Sequence, residues 1–131
     1  CRNKKVILFG VPGAFTPTCS AKHLPGFIKY AGTLKKNGAD IIACLSVNDV
    51  FVMGAWGIDQ HVGNKVLMLA DGSAKFSLST GLDVDLTERD MGIRCKRFLM
   101  IIDNEEITML KVDKPGKFEV TGAEDLLNKK F

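Results

Sequence analysis

Apolar positions along the chain alternate between two periods. Short unbroken apolar runs at 6–9, within ADIIACLSVND (39–49) and in KVLMLAD (65–71) have the length and β-branched content of buried strands. Between the first two, Leu24, Phe27, Ile28, Ala31 and Leu34 recur at helical spacing and predict a helix over 17–36. Pro25 lies inside it, lacks a backbone donor and crowds the preceding turn, so a kink is expected there. Asn48 or Asp49 should cap a second helix over 50–61, with Phe51, Met53 and Trp56 on its apolar face. A short helix is expected over 73–80. CKRFLMIID and ITMLKVD then flank a turn at Asp103–Glu106 and read as an antiparallel hairpin. Thr121 and Glu124 form a Thr-x-x-Glu capping box that predicts a last helix over 122–130.

Parallel strand–helix units followed by a hairpin and a final helix predict an α/β fold. Its expected form is a mixed central sheet with helices on both faces, a thioredoxin-like order. At 131 residues the chain reads as one domain, 1–131. A chain of this size buries roughly two-thirds of its unfolded surface, enough for a core without staples. Eighteen basic against fifteen acidic residues give +3, too slight and scattered to point to nucleic acid. No stretch approaches the ~20 apolar residues of a membrane span, so no membrane partner is expected.

Four cysteines change the picture more. Cys1, Cys19, Cys44 and Cys95 lie far apart, with no CxxC pair and no Cys/His spacing for zinc. That predicts reduced thiols and an intracellular setting, in the cytosol or an organelle such as a mitochondrion or plastid, and no metal. Cys1 is terminal and tells little. Cys19 differs, because it closes the run GVPGAFTPTCS (10–20). Thr16 suits a helix N-cap and Pro17 the first helical position. Cys19 then falls in the first turn, where unpaired N–H groups and the helix dipole favour an anion, and a thiolate is one. Gly13 lets backbone donors come close.

Ionisation alone accounts for little. An unperturbed thiol is about 3% ionised at neutral pH, so complete ionisation gains at most ~30-fold. A catalyst must also polarise its electrophile with aimed donors, such as the Thr16 hydroxyl and an arginine. From the residues alone, a reactive thiol and a buried helix-start cysteine fit the run equally well.

Pro12, Thr16 and Cys19 match the PxxxTxxC signature of the peroxiredoxins, and FGVPGAFTPTCS resembles their type II, or atypical fifth-subfamily, branch. The resemblance continues through HLPGF (23–27), the ACLSVND and FVM segments up to Trp56, LAD (69–71) and GIRCKRF (92–98). It implies a thiol peroxidase reducing hydrogen peroxide, alkyl hydroperoxides and peroxynitrite, without metal, haem or flavin. It further implies a homodimer and an additional N-terminal stretch with a hairpin. Carried over by position, Cys19 matches the peroxidatic cysteine. Thr16 matches the hydroxyl that bonds thiolate and peroxide, Pro12 the residue shielding the pocket, and Arg97 the arginine that stabilises thiolate and transition state. Gly13, Phe15 and Thr18 complete the substrate-binding loop.

The remaining candidates are weaker. His23, four residues after Cys19, could pair with it, but reads better as packing at the pocket rim. Arg94 is expected at the site's edge, in an ion pair or a dimer contact. Cys44 reads as a core cysteine, although the plant type II branch has its resolving cysteine there. Cys95 shares a predicted strand face with Arg97, and its neighbours Arg94 and Lys96 would depress its pKa. The mammalian-type branch carries a resolving cysteine near Val120–Thr121, where this chain has none. That departure favours a one-cysteine cycle in which glutathione with glutaredoxin, or thioredoxin, reduces Cys19. The alternative is a redox-sensing binding or chaperone protein that uses the same thiol as a switch. A thioredoxin-like disulfide reductase is disfavoured by the missing CxxC.

Overall fold

Among the described residues there are seven strands and three α-helices, and their order follows the apolar pattern closely at first. The structure, a computed structural model, describes residues 2–131; Cys1 lies outside the described residues. Strand β1 (Lys5–Gly10) pairs in parallel with β2 (Ile41–Ser46), which pairs in parallel with β3 (Leu67–Ala70). On the other side β1 runs antiparallel to β6 (Phe98–Asp103), and β6 to β7 (Glu106–Val112). The sheet order is therefore β3-β2-β1-β6-β7, mixed as expected. Asn104 and Glu105, at the hairpin turn, both have positive φ (50° and 70°), the handedness that matches strand twist in a two-residue loop.

Alternation along β1 divides the core into two layers. Ile7 and Phe9 face a cluster with Ile42, Leu99, Phe27, Leu34 and Trp56. Val6 and Leu8 face the other side, with Ala43, Leu45, Phe98 and Met100. Helices α1 (Leu24–Lys36) and α2 (Val50–Asp59) cover the first face, and α3 (Lys75–Thr80) lies on the second. Phe9 and Phe27 stack with centroids 4.1 Å apart, joining β1 to α1. Asp49 is the cap of α2, its carboxylate accepting from Val52 N at 2.8 Å.

Four expectations need correction. CKRFLMIID is not one strand. It splits into β5 (Ile93–Cys95) and β6, and β5 pairs with β4 (Asp83–Asp85) in a separate small sheet. Lys96 N–H bonds Leu82 O at the crossing, so the chain changes sheets at Lys96–Arg97. The C-terminal helix shrinks to a 3-10 turn at Ala123–Leu126, and the capping box does not form. Thr121 instead gives its hydroxyl proton to Asp113. On α2 only Met53, Trp56 and Gly57 point inward; Phe51 is 83% exposed. The kink at Pro25 takes a specific form. Helical winding starts at Pro17, widens to a π turn over Cys19–His23, and resumes as α1. Leu24 N–H reaches back five residues to Cys19 O. Widening the turn just before Pro25 accommodates a residue that cannot donate and would clash with the carbonyl four residues back.

Candidate active site

The loop after β1 is held from both sides. Gly10 is required by packing, since a Cβ there would lie within the Phe98 ring that covers the strand's exit. Val11 O accepts from Ser46 Oγ at 2.9 Å and from Cys95 Sγ at 3.0 Å. Ala14 N–H donates to Asn48 Oδ1 at 3.0 Å, so Asn48 fastens this loop while its neighbour Asp49 caps α2. Phe15 then adopts φ 62°, a left-handed conformation costing about 1–2 kcal/mol for a residue with a Cβ. Such strain persists only where its surroundings impose it. Here the Asn48 anchor lies on one side. On the other, Thr16 gives its backbone and hydroxyl protons to Gly13 O (3.4 and 2.6 Å). Gly13 permits that fold-back, because a Cβ would sit 2.9 Å from Thr16 Cγ2. Ser20 N–H to Thr16 O (2.9 Å) closes the first helical turn, with Thr16 as its N-cap by position.

That turn buries Cys19 to 1% exposure and aims its sulfur at Arg97. Arg97 Nη2 donates to Cys19 Sγ at 3.2 Å. Its Nη1 lies 2.8 Å from His23 Nδ1, and His23 Nε2 lies 3.0 Å from Thr121 O. A carbonyl only accepts, so Nε2 carries the ring proton and Nδ1 presents its lone pair to the guanidinium. Burial, then the Arg97 charge, push the His23 pKa down to about 3, which keeps the ring neutral. Phe9 and Phe118 pack against it, each at a centroid distance of 4.9 Å.

The same chain of contacts continues through Asp113, which β7 places opposite Arg97; Asp113 N–H bonds Arg97 O at 2.9 Å. Asp113 accepts from Thr121 Oγ1 (2.7 Å) and from the N–H groups of Glu119 and Val120 (3.0 Å each). Burial raises its pKa, but these three bonds outweigh that and leave it below the usual carboxylate range. Asp113 thus shapes the loop whose Thr121 carbonyl fixes the histidine.

Beside this cluster opens a cleft of about 320 Å³, with Pro12, Thr16, Thr18 and Arg97 among its lining. Four of the sequence-derived site residues therefore share one wall, and Cys19 sits directly behind Arg97. Gly13 is buried behind that wall. Phe15 leaves the cleft, half-exposed and tilted against Trp56 at 6.5 Å. Among the described residues, no three His, Cys, Asp or Glu side chains gather as a metal site.

A redoxin family model matches residues 1–127. The chain belongs to the peroxiredoxins. Peroxiredoxin-2D of Arabidopsis thaliana is 52% identical over 124 residues, 95% of this chain and 76% of that relative. The chloroplastic peroxiredoxin-2E of the same plant is 45% identical over 126 residues, covering 95% and 54%. The crystal structure of reduced Prx3 from Vibrio vulnificus in complex with H2O2 is 52% identical, with a TM-score of 0.93 over 96% of this chain and 78% of that one. This peroxiredoxin has the thioredoxin-like fold of the family and is a thiol peroxidase.

Three sequence expectations about the peroxiredoxin's site are revised. His23 is not at the rim; it is fully buried and holds Arg97. Cys95 does not share a face with Arg97, because the chain changes sheets between them: Cys95 packs in the layer with Phe98 and Met100. Nor do its basic neighbours lower its pKa. Burial pushes the thiol up to about 12. Arg94 Nε donates to Met91 O (2.8 Å) and its Nη1 to Val47 O (3.4 Å), clamping two loops. Cys44 is sealed within β2, and burial holds its thiol well above the ordinary range. Asp113, Thr121 and Asn48 had no signal of their own as site residues, since each acts through contacts with residues distant in sequence.

Proposed function

We propose that Cys19 is the peroxidatic thiol and that it works in a one-cysteine cycle on hydrogen peroxide and alkyl hydroperoxides. The supporting observation is the guanidinium of Arg97, bonded to Cys19 Sγ at 3.2 Å and steered by a neutral histidine. In this reading the Cys19 thiolate attacks one peroxide oxygen. The S–O bond forms as the O–O bond breaks, the second oxygen leaves with the electron pair, and a proton converts it to water or an alcohol. Arg97 and backbone donors take up the charge on that leaving oxygen. Thr16, whose own proton lies on Gly13 O, offers its lone pairs to the peroxide O–H. Pro12 and Thr18 bound the entrance, while Gly13 and Phe15 hold the loop.

The product is a sulfenic acid on Cys19. One thiol converts it to a mixed disulfide plus water, and a second thiol releases Cys19. Glutathione with glutaredoxin, or thioredoxin, supplies those thiols, since Cys44 and Cys95 are enclosed. The exposed apolar residues Phe15, Val50, Phe51 and Ile58 support a homodimer through this side of the molecule. The chloroplastic relative supports an intracellular setting, in the cytosol or an organelle.

Treating the reduced protein with one equivalent of hydrogen peroxide and dimedone tests this. Mass spectrometry is expected to find the adduct on Cys19, and glutathione added in place of dimedone is expected to give a mixed disulfide there. A dominant Cys19–Cys44 or Cys19–Cys95 crosslink would overturn the one-cysteine cycle.

A further inference from the structure

The cleft is larger than hydrogen peroxide requires. Its volume of about 320 Å³ lies within the range of small-molecule sites, well beyond two oxygen atoms. Its inner end is Thr16 and Arg97, beside the sulfur. Leu86 and Met91, both half-buried, add apolar lining. The solvent-facing lining is cationic: Arg89 from the 3-10 turn after β4 and Lys114 and Lys117 from the loop after β7 are exposed, and Lys96 from the sheet crossing is half-buried. Three separate segments thus bring positive charge to one opening. Among the described residues lining the cleft, the one carboxylate is Asp113, and both its oxygens already accept hydrogen bonds within its own loop. The outer cations have no acidic counterpart in the lining.

With Cys19 as the reacting thiol proposed above, the geometry points to an amphipathic anionic hydroperoxide as the substrate this cleft selects. The peroxide group enters between Thr16 and Arg97, an apolar body lies against Leu86 and Met91, and a remote carboxylate meets Arg89, Lys96 and Lys117. Such a group never touches the reacting oxygens. Its attraction acts on capture of the substrate, and the partly solvated charges make it sensitive to salt.

A matched pair of substrates tests this: cumene hydroperoxide and its para-carboxylate, each assayed for kcat/KM at one fixed reductant concentration. Two or three partly exposed cations are expected to favour the carboxylate about tenfold at low salt. Raising salt from about 10 mM to about 1 M should bring the ratio toward one, by screening. The double variant Arg89→Gln/Lys117→Gln should lower the low-salt ratio in the same direction. A wild-type ratio at or below one, or a ratio unmoved by salt, overturns the assignment; so does a folded double variant with the wild-type ratio. Turnover of hydrogen peroxide separates the two levels. If it persists, only the anionic subsite has failed; if it is absent, the role of Cys19 falls too.

Discussion

Cys19 and Cys95 are two thiols buried to nearly the same degree, 1% and 0% exposed, in the two separate layers of the core. Cys19 Sγ accepts a hydrogen bond from the Arg97 guanidinium. Cys95 gives its own proton to the carbonyl of Val11 at 3.0 Å. A cationic donor favours the thiolate, whereas a carbonyl favours the neutral thiol. Burial therefore does not distinguish the thiol proposed to react from the other; the polarity of the partner does.

Removing the donor should break that contrast most severely. Arg97→Met is expected to slow the reaction with peroxide ~10²–10³-fold, the usual loss when a charge-stabilising donor is deleted. Stopped-flow oxidation of the reduced protein measures it, with far-UV circular dichroism to verify folding. Arg94→Met, which loses two carbonyl contacts, should cost far less; the reverse order would mean that the arginines have been assigned the wrong way round.

The next effect runs through His23. His23→Leu leaves the guanidinium without its lone-pair partner and is expected to lower the peroxide rate about tenfold, with much of it restored in His23→Gln, a residue that can still accept there. Stability carries a second readout. The histidine titrates near 6.5 when unfolded and about 3 when folded, so the unfolded chain binds the extra proton between those values. Its contribution is full above pH 6.5 and is lost as pH falls, at up to ~1.4 kcal/mol per pH unit. Denaturant melts between pH 6.5 and 4.5, above the Asp113 titration, should show this slope in the wild type and not in His23→Gln. Equal slopes in both proteins would contradict a buried neutral ring.

The smallest change is expected at the other thiol. Cys95→Ser keeps a donor for Val11 O, so stability should shift by no more than ~1 kcal/mol and the peroxide rate should stay at the wild-type level. A large rate loss would mean that Cys95 takes part in the chemistry, and the contrast would fail.

The strands β1 to β3 and the helix-start cysteine were legible because they rest on local signals. Apolar runs mark β1 to β3, and the Thr16–Pro17 pair marks the helix start. Partnership was not legible. Arg97 follows Cys95 by two residues, which on an unbroken strand places both on one face. The bond from Lys96 N–H to Leu82 O moves the chain into another sheet and reverses that inference. Thr121 and Glu124 satisfied a capping rule, yet the Asp113 carboxylate competed successfully for the threonine hydroxyl. His23 carried the right spacing from Cys19. Its work depends on a carbonyl 98 residues away, which no sequence window contains.

The widened turn at Cys19–His23 bears on the timing of catalysis. A hydroperoxide group has a cleft reaching to Arg97, but a protein reductant is far too large to follow it to a sulfur with 1% exposure. In the proposed cycle the two halves therefore face different barriers: oxidation proceeds with the helix closed, whereas protein-driven reduction waits for its first turn to open. The wide turn has fewer of the tight four-residue bonds that hold an ordinary helix start, so it is the natural place for that opening to begin. Above a modest concentration of protein reductant, turnover should stop rising, with its ceiling set by how often those few residues let go.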